Sequence, residues 1–294
     1  MTSMRQGLSK LAHRYLSDTF YVRLVYYYSA LRQRRIPELL SLRNPKTWNE
    51  KISYIKLNID RLIPEAHFYA DKLNVRDYVA RTIGDEHLVP LLGSWSRAKD
   101  ISWSVLPERF VLKANHGAGF NVIVRDRSEL DLDQVTDQLN SWLETDYSHR
   151  SGEKQYQRIP RRLLAEELIA PEAADLPDYK FFCFDGRPKL LTLDLDRRGA
   201  HKRRLVLDMD WNPLPIKMTY PEPDKMVERP AAFELMASIA EALAAPFFFV
   251  RVDLYEDAGS IYFGELTFTQ GGGLAAISPR SWNRKLGDLI RLPR

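Results

Sequence analysis

The sequence is poor in cysteine, with Cys183 the only one among 294 residues. That excludes an internal disulfide and a cysteine-based metal site, and makes a reducing compartment the simplest setting. Long apolar runs are missing too. The longest, Leu243 to Val250, is interrupted by Pro246 and is far shorter than the roughly 20 residues that span a bilayer. No apolar segment follows Arg5 and Lys10, because Arg14, Asp18 and Arg23 break every candidate stretch. A secretory leader is therefore not expected, and the chain is expected in the cytoplasm. A strong excess of one charge is also absent, since 43 Lys+Arg stand against 39 Asp+Glu for a net +4. With 45% hydrophobic and 28% charged residues, the composition excludes a disordered or collagenous chain.

The small net charge is unevenly placed. Residues 1–43 carry Arg5, Lys10, Arg14, Arg23, Arg32, Arg34, Arg35 and Arg43 against Asp18 and Glu38, a net +6, which leaves the remainder at −2. Within this arm Leu8, Leu11, Tyr15 and Leu16 fall at helical spacing, and an aromatic run extends from Tyr21 to Tyr28. Two readings fit: a helical arm packed on its own domain or on a partner, or a segment lying on an anionic membrane surface. Nucleic acid is disfavoured because the rest of the chain lacks a basic face.

Beyond Pro37 the pattern predicts helices over Trp48–Leu57 and Phe68–Thr82, the second closed by Gly84, and over Asp131–Trp142 and Ala231–Ala244. Strands are predicted at Leu88–Leu92, Phe110–Ala114, Asn121–Arg125, Leu163–Ile169, Tyr179–Phe184, Lys189–Asp194, Arg204–Asp208, Phe247–Tyr255 and Ile261–Thr267. Five prolines between residues 212 and 230 predict an irregular excursion there. No internal repeat is present.

Three segments carry chemistry. Phe110 to Gly119 is a strand ending in Lys113 and then a turn, Asn115-His-Gly-Ala-Gly119, whose backbone N–H groups can cradle phosphate while the lysine supplies charge. No Gly-Lys-Ser/Thr follows, so it is not the P-loop sequence. The closing strands each place one acid, Asp253 or Glu265, among apolar residues. Burying an unpaired carboxylate is costly, so the two need a shared cation. Mg²⁺ fits, with Thr267 on the same face as Glu265; ion pairs with Arg251 or Lys180 are the other solution. Third, Leu164-Ala-Glu-Glu-Leu-Ile169 ends in two acids and precedes Asp178-Tyr-Lys180.

In chain order, Ala70-Asp-Lys-Leu-Asn-Val-Arg76, Phe110–Gly119, Ala165-Glu-Glu-Leu-Ile169, Asp178-Tyr-Lys180, Val250-Arg-Val-Asp253 and Gly264-Glu-Leu-Thr-Phe268 resemble the ATP-grasp superfamily. The likeness is to its TupA-like branch, associated with teichuronopeptide and bacterial surface-polysaccharide assembly. That branch also resembles this chain at Trp48-Asn-Glu-Lys-Ile52, His116-Gly and Phe181-Phe-Cys-Phe-Asp-Gly186. The resemblance implies an α/β (α+β) fold in which two subdomains grip ATP. The basic arm 1–43 would be followed by a truncated leading region 44–109, a small subdomain 110–170 and a large subdomain 171–294.

It also implies roles. Lys72 and Lys113 would hold the α- and β-phosphates, with Gly117, Ala118 and Gly119 as a flap. The hinge Glu166, Glu167, Leu168 and Ile169 would read the adenine edge. Asp178 would meet the ribose, with Lys180 beside it, and Asp253 and Glu265 would bind Mg²⁺. Arg251 would neutralise the γ-phosphate or a substrate carboxylate. Thr267 stands where many members have asparagine. His116 reads either as a phosphate contact or proton shuttle or as a structural turn histidine. Trp48 and Tyr54 read as core, Cys183 as a buried small hydrophobe, and Arg161 and Arg162 as surface charges.

Only 71 residues precede Lys72, too few for a complete leading domain after the arm. The implied activity is a ligase joining a carboxylate, such as a uronic acid of a surface polysaccharide or its precursor, to an amino acid or amino sugar through an acylphosphate. A hydroxyl-phosphorylating enzyme, or a nucleotide-binding assembly factor docked on a glycosyltransferase or the inner membrane face through residues 1–43, are the alternatives.

Overall fold

The computed structural model of the protein describes residues 17–169, 176–195 and 202–293. Leu8, Leu11, Tyr15 and Leu16 of the arm lie outside these. Helix α1 (Asp18–Arg32) starts at Ser17, whose hydroxyl accepts from Phe20 N–H, and buries Tyr21, Val22, Tyr26 and Ala30. Val22 and Tyr26 cluster with Leu40 and Leu42, and Leu57 and Leu274 pack against this cluster, so one face of this part of the arm packs on the chain's own body.

Helix α2 (Trp48–Leu57) has the predicted bounds, and its start explains the Trp48-Asn-Glu motif. Thr47 and Glu50 form a reciprocal capping box. The Glu50 carboxylate also accepts from Ser41 and Lys46 N–H at 2.9 and 2.8 Å, which ties the arm to the helix start.

The helix predicted over Phe68–Thr82 is corrected. After α3 (Ile59–Leu62) the chain forms α4 (Ala66–Ala70) and α5 (Val75–Ile83), broken at residues 71–74. The Asp71 carboxylate accepts from Leu73 N–H at 2.9 Å, and Lys72 N–H donates to Asn115 O at 3.2 Å. Local side-chain acceptance competes with helical bonding and wins here. Gly84, at φ 101°, closes α5 as expected.

One sheet contains β1 (Leu91–Trp95), β2 (Phe110–Ala114), β3 (Asn121–Val124) and β4 (Leu163–Glu167), in antiparallel order β1-β4-β2-β3. The predicted strand at Leu88–Leu92 is thus shifted toward the C-terminus, because residues 85–87 form a 3₁₀ turn. Since β1 pairs with β4, this sheet does not begin at residue 110. Its far face is covered by α6 (Leu132–Glu144), capped by Asp131, through Val135, Leu139 and Trp142. The short α7 (Tyr147–Ser151) follows.

The second sheet contains β5 (Asp178–Phe184), β6 (Arg187–Leu195), β7 (Arg203–Asp208), β9 (Phe249–Asp257) and β10 (Ser260–Thr267) in antiparallel order β10-β9-β5-β6-β7. Residues 212–230 are irregular apart from β8 (Lys217–Met218), which pairs with β11 (Ile277–Ser278). Helix α8 (Phe233–Ala244) and the block α2–α5 share one core with this sheet. Trp48 is its anchor, fully buried with its ring 5.7 Å from Phe182 and 5.3 Å from Phe249. Cys183 is buried in the same core. Helix α9 (Arg280–Leu289) closes the chain against α2. No helix among the described residues is long and apolar enough to cross a membrane.

Candidate functional site

A cleft of about 580 Å³ separates the two sheets. Lys72, Arg76, Lys113, Ala118, Gly119 and Glu166–Ile169 line one wall, and Asp178, Lys180, Asp253 and Glu265 line the other. Where strands supply the lining, alternation sends Val111 and Lys113, and likewise Asp178 and Lys180, to the cleft side.

On the first wall Glu166 is the hub. Its carboxylate accepts from Lys113 Nζ at 2.5 Å and Arg76 Nη1 at 3.1 Å, while Arg76 Nη2 donates to Val89 O at 2.9 Å. Lys72 reaches the turn, where its Nζ donates to Gly117 O at 2.6 Å. Burial pulls the Lys72 ammonium down from its ordinary value, opposed first by Glu265. Lys72, Arg76 and Lys113 thus stand with two carboxylates, Glu166 and the exposed Glu167, on this wall. Glu167 N–H donates to Pro90 O, and Leu168 and Ile169 are half-buried against the cleft.

The glycine turn divides in two. Gly117 (φ 89°) is packed, because a Cβ there would stand 2.5 Å from the Tyr147 ring. Gly119 (φ 78°) has open space where its Cβ would be. His116 points away from the cleft into the small core. Its Nε2 lies 3.1 Å from Trp142 O and its ring 5.5 Å from Phe120, and burial lowers its pKa. His116 is not among the side chains that line the cleft. Arg161 and Arg162 are engaged locally: Arg161 Nη1 donates to Leu143 O, and Arg162 Nη2 to Ser94 Oγ.

The second wall is an ionic knot. Lys180 Nζ lies 2.5 Å from both Asp178 and Asp253. Arg251 donates to both oxygens of Asp253 at 2.5 Å and to Glu265 at 2.6 Å, and Thr267 Oγ1 donates to Glu265 at 3.0 Å. Burial alone would raise Asp253, but Arg251 and Lys180 outweigh it and hold the carboxyl at about 2. Burial alone would lower Lys180, but Asp253 and Asp178 push it up to about 12. Arg251 is raised by the same balance, chiefly through Asp253 and Glu265.

Three carboxylates and two cations leave this knot one negative charge in excess. Asp253 and Glu265 sit directly opposite each other on β9 and β10. They offer hard oxygen donors beside a cleft whose other wall is cationic, which is the donor chemistry Mg²⁺ takes together with phosphate oxygens. Among the described residues no group of three or more His, Cys, Asp or Glu side chains is placed to hold a metal ion. Of the two expected solutions for the acids, the structure shows the ion pairs with Arg251 and Lys180, while the carboxylate oxygens are of the donor type Mg²⁺ takes.

Several contributors went unnoticed in the sequence. Arg76 braces Glu166, and its place four residues after Lys72, just inside a helix start, was the available signal. Asn115 donates to Asp71 and to Pro160 O, and accepts from Arg162 N–H, which fixes the turn. Arg204 forms a bidentate pair with Asp194 at 2.5 and 2.6 Å, 5.0 Å over the Tyr220 ring, at the far end of the cleft. Long-range pairs of this kind leave no local mark in a sequence.

The model of the TupA-like ATPgrasp family matches residues 50–291. Solved structures of similar fold include D-alanine–D-alanine ligase from Bacillus anthracis complexed with ATP, at 16% identity over 69% of this chain and 55% of that one, with a TM-score of 0.41. They also include the ATP-grasp ligase PsnB with minimal precursor, Mg and ADP, at 14% identity over 77% and 59%, with a TM-score of 0.39. D-cycloserine synthetase DcsG matches at 13% identity over 90% and 93%, with a TM-score of 0.46. The chain spans little more than half the length of the Bacillus anthracis ligase. No curated protein matches it by sequence.

Proposed function

Because the chain belongs to the TupA-like ATP-grasp family, we propose that it is an ATP- and Mg²⁺-dependent carboxylate–amine ligase. One observation carries the reading: a single cleft between two sheets gathers Lys72, Arg76 and Lys113 on one side and the carboxylates Asp178, Asp253 and Glu265, with Lys180 among them, on the other. A nucleotide triphosphate with its metal has the matching polarity, phosphates toward the lysines and metal toward the acids.

In this reading Lys72 and Lys113 hold the α- and β-phosphates, with Ala118 and Gly119 closing above them. The adenine edge meets the backbone of Glu166–Ile169, and Asp178 meets the ribose. Asp253, Glu265 and Thr267 would hold Mg²⁺, which would supply charge neutralisation at the phosphates. Arg251 turns from its acids toward the γ-phosphate or the substrate carboxylate.

A carboxylate oxygen attacks the γ-phosphorus, and the bond to the bridging oxygen breaks to release ADP. An amine then attacks the acyl carbon, forms the C–N bond, loses a proton and expels phosphate. The protein's contribution is position and charge, because phosphoryl transfer asks little covalent help. The branch's association with teichuronopeptide assembly supports a uronic acid of a bacterial surface polysaccharide or its precursor as the carboxylate, and an amino acid or amino sugar as the amine. ATP as co-substrate supports a cytoplasmic site of action.

The test is ADP release by the purified protein with a panel of uronic acids and amines, followed by mass analysis of the product. An amide is expected, and Asp253→Asn is expected to lower turnover at least about 100-fold. A phosphate ester would overturn the ligase reading, and full turnover in Asp253→Asn would overturn the metal assignment.

A further inference from the structure

Among the described residues, large apolar side chains left in water concentrate in one place. Six of the twelve exposed ones lie between residues 20 and 39: Phe20, Leu24, Tyr28, Leu31, Ile36 and Leu39. The first four fall at i, i+4, i+8 and i+11 on α1 and so form one stripe along the helix. Their exposures are 54, 48, 54 and 67%, and Ile36 and Leu39 reach 78 and 83%. A patch of this kind on a folded protein marks an interaction surface.

The stripe is held in place from behind. Tyr21, Val22, Tyr26 and Ala30 are buried on other faces of the helix. The Tyr21 hydroxyl donates to His149 O at 3.0 Å, Asp18 pairs with Lys154 at 2.6 Å, and Leu40 N–H donates to the Tyr27 hydroxyl at 3.2 Å. The helix therefore presents its apolar stripe outward as a fixed feature.

The charges around the stripe identify the occupant. Arg23, Arg32, Arg34 and Arg43 are exposed on the same segment, against the acids Asp18 and Glu38. Glu38 is already engaged by Asn283. Leucine and aromatic side chains bordered by arginines are the composition of a helix that lies in the interface of an anionic bilayer. We propose that α1 and residues 33–39 form a membrane-surface anchor, with Phe20, Leu24, Tyr28 and Leu31 entering the acyl boundary and the arginines meeting acidic headgroups. The proposal is independent of the reaction catalysed in the cleft.

The experiment is co-sedimentation of the full-length protein with vesicles of phosphatidylcholine alone or with about one third phosphatidylglycerol. Binding is expected only to the anionic vesicles and is expected to weaken with added salt. The double variant Leu24→Ser/Leu31→Ser should bind about tenfold or more weakly. Arg23→Gln/Arg32→Gln should lose about fivefold for each charge removed. Nucleotide affinity, read separately, should be unchanged in both variants, which establishes that they are folded.

A polarity-sensitive dye on Leu24→Cys gives a second readout, because Cys183 is buried and will not label. Its emission should shift to the blue on anionic vesicles. Wild-type protein left in the supernatant, equal binding by the leucine variant, or unshifted dye emission would each overturn the proposal. So would capture of a protein partner by this face without any vesicle binding.

Discussion

Asp253 shows how much one side chain can be asked to do. It is buried, bonded to Lys180 and Arg251, and directly opposite Glu265. Buried ion pairs contribute little net stability, and removing one partner costs about 3–5 kcal/mol because the other charges are left uncompensated. Here the cost buys a carboxylate kept ionised beside a nucleotide-sized cleft. Its carboxyl is held at about 2, below the ordinary value of 3.8. The stabilisation is therefore present above about pH 4 and lost as pH falls toward 2. The melting temperature of the wild type should drop across that window. Asp253→Asn should begin lower and drop less, and parallel curves for the two proteins would remove Asp253 as the group responsible.

Both acids were legible in the sequence as polar residues inside apolar strands, yet their placement was not. Ile261, Phe263, Glu265 and Thr267 have the same parity and would share one face of a regular strand. A bulge between Phe263 and Glu265 changes this. Ile261 and Phe263 lie on the core side, while Glu265 and Thr267 stand beside their cross-strand partners Asp253 and Arg251 on the other face. Gly264 allows it, since a Cβ there would stand 2.9 Å from the Tyr255 ring and 3.1 Å from Asp253 O.

At the level of elements, the turn after β2 and the break before α5 are one device. Asp71 and Asn115 are bonded to each other, Lys72 N–H donates to Asn115 O, and Lys72 Nζ donates to Gly117 O. The lysine is thereby aimed from a helix break that periodicity alone reads as continuous helix. Gly117 and Gly119 look alike in sequence, but their surroundings separate them. Gly117→Ala must displace Tyr147 and adopt a positive φ, and should cost about 2–4 kcal/mol with a weaker nucleotide affinity. Gly119→Ala meets open space and should cost about 1 kcal/mol from backbone strain alone. Denaturant midpoints of the two variants check this, and equal losses would refute the packed-against-open distinction.

For the whole molecule, the cleft exists because two sheets with separate cores face each other. The block α2–α5, which carries Lys72, is packed through Trp48 onto the sheet that carries the acids. Lys72 therefore arrives at the cleft from the acidic side's core and reaches across to the glycine turn of the other. Trp48→Ala should destabilise the protein by about 3–5 kcal/mol and weaken nucleotide binding through Lys72, although Trp48 touches no part of the cleft. Calorimetry and nucleotide titration of the variant measure both effects. Unchanged affinity in a destabilised variant would uncouple the block from the site.

The sequence by itself determined most of the strands, the order of the motifs, the fold class and part of the charged lining of the cleft, Lys72, Lys113, Asp253 and Glu265 among it. Those depend on alternation, turn chemistry and local spacing, which are written in neighbouring residues. Only the tertiary structure decided which way His116 points, that Arg76 shares Glu166 with Lys113, that Glu265 comes to face Asp253, and that one face of α1 is packed while another stands open. Each of these is settled by a partner or a bulge set through long-range pairing. The balance of burial against a distant charge has no signature along the chain.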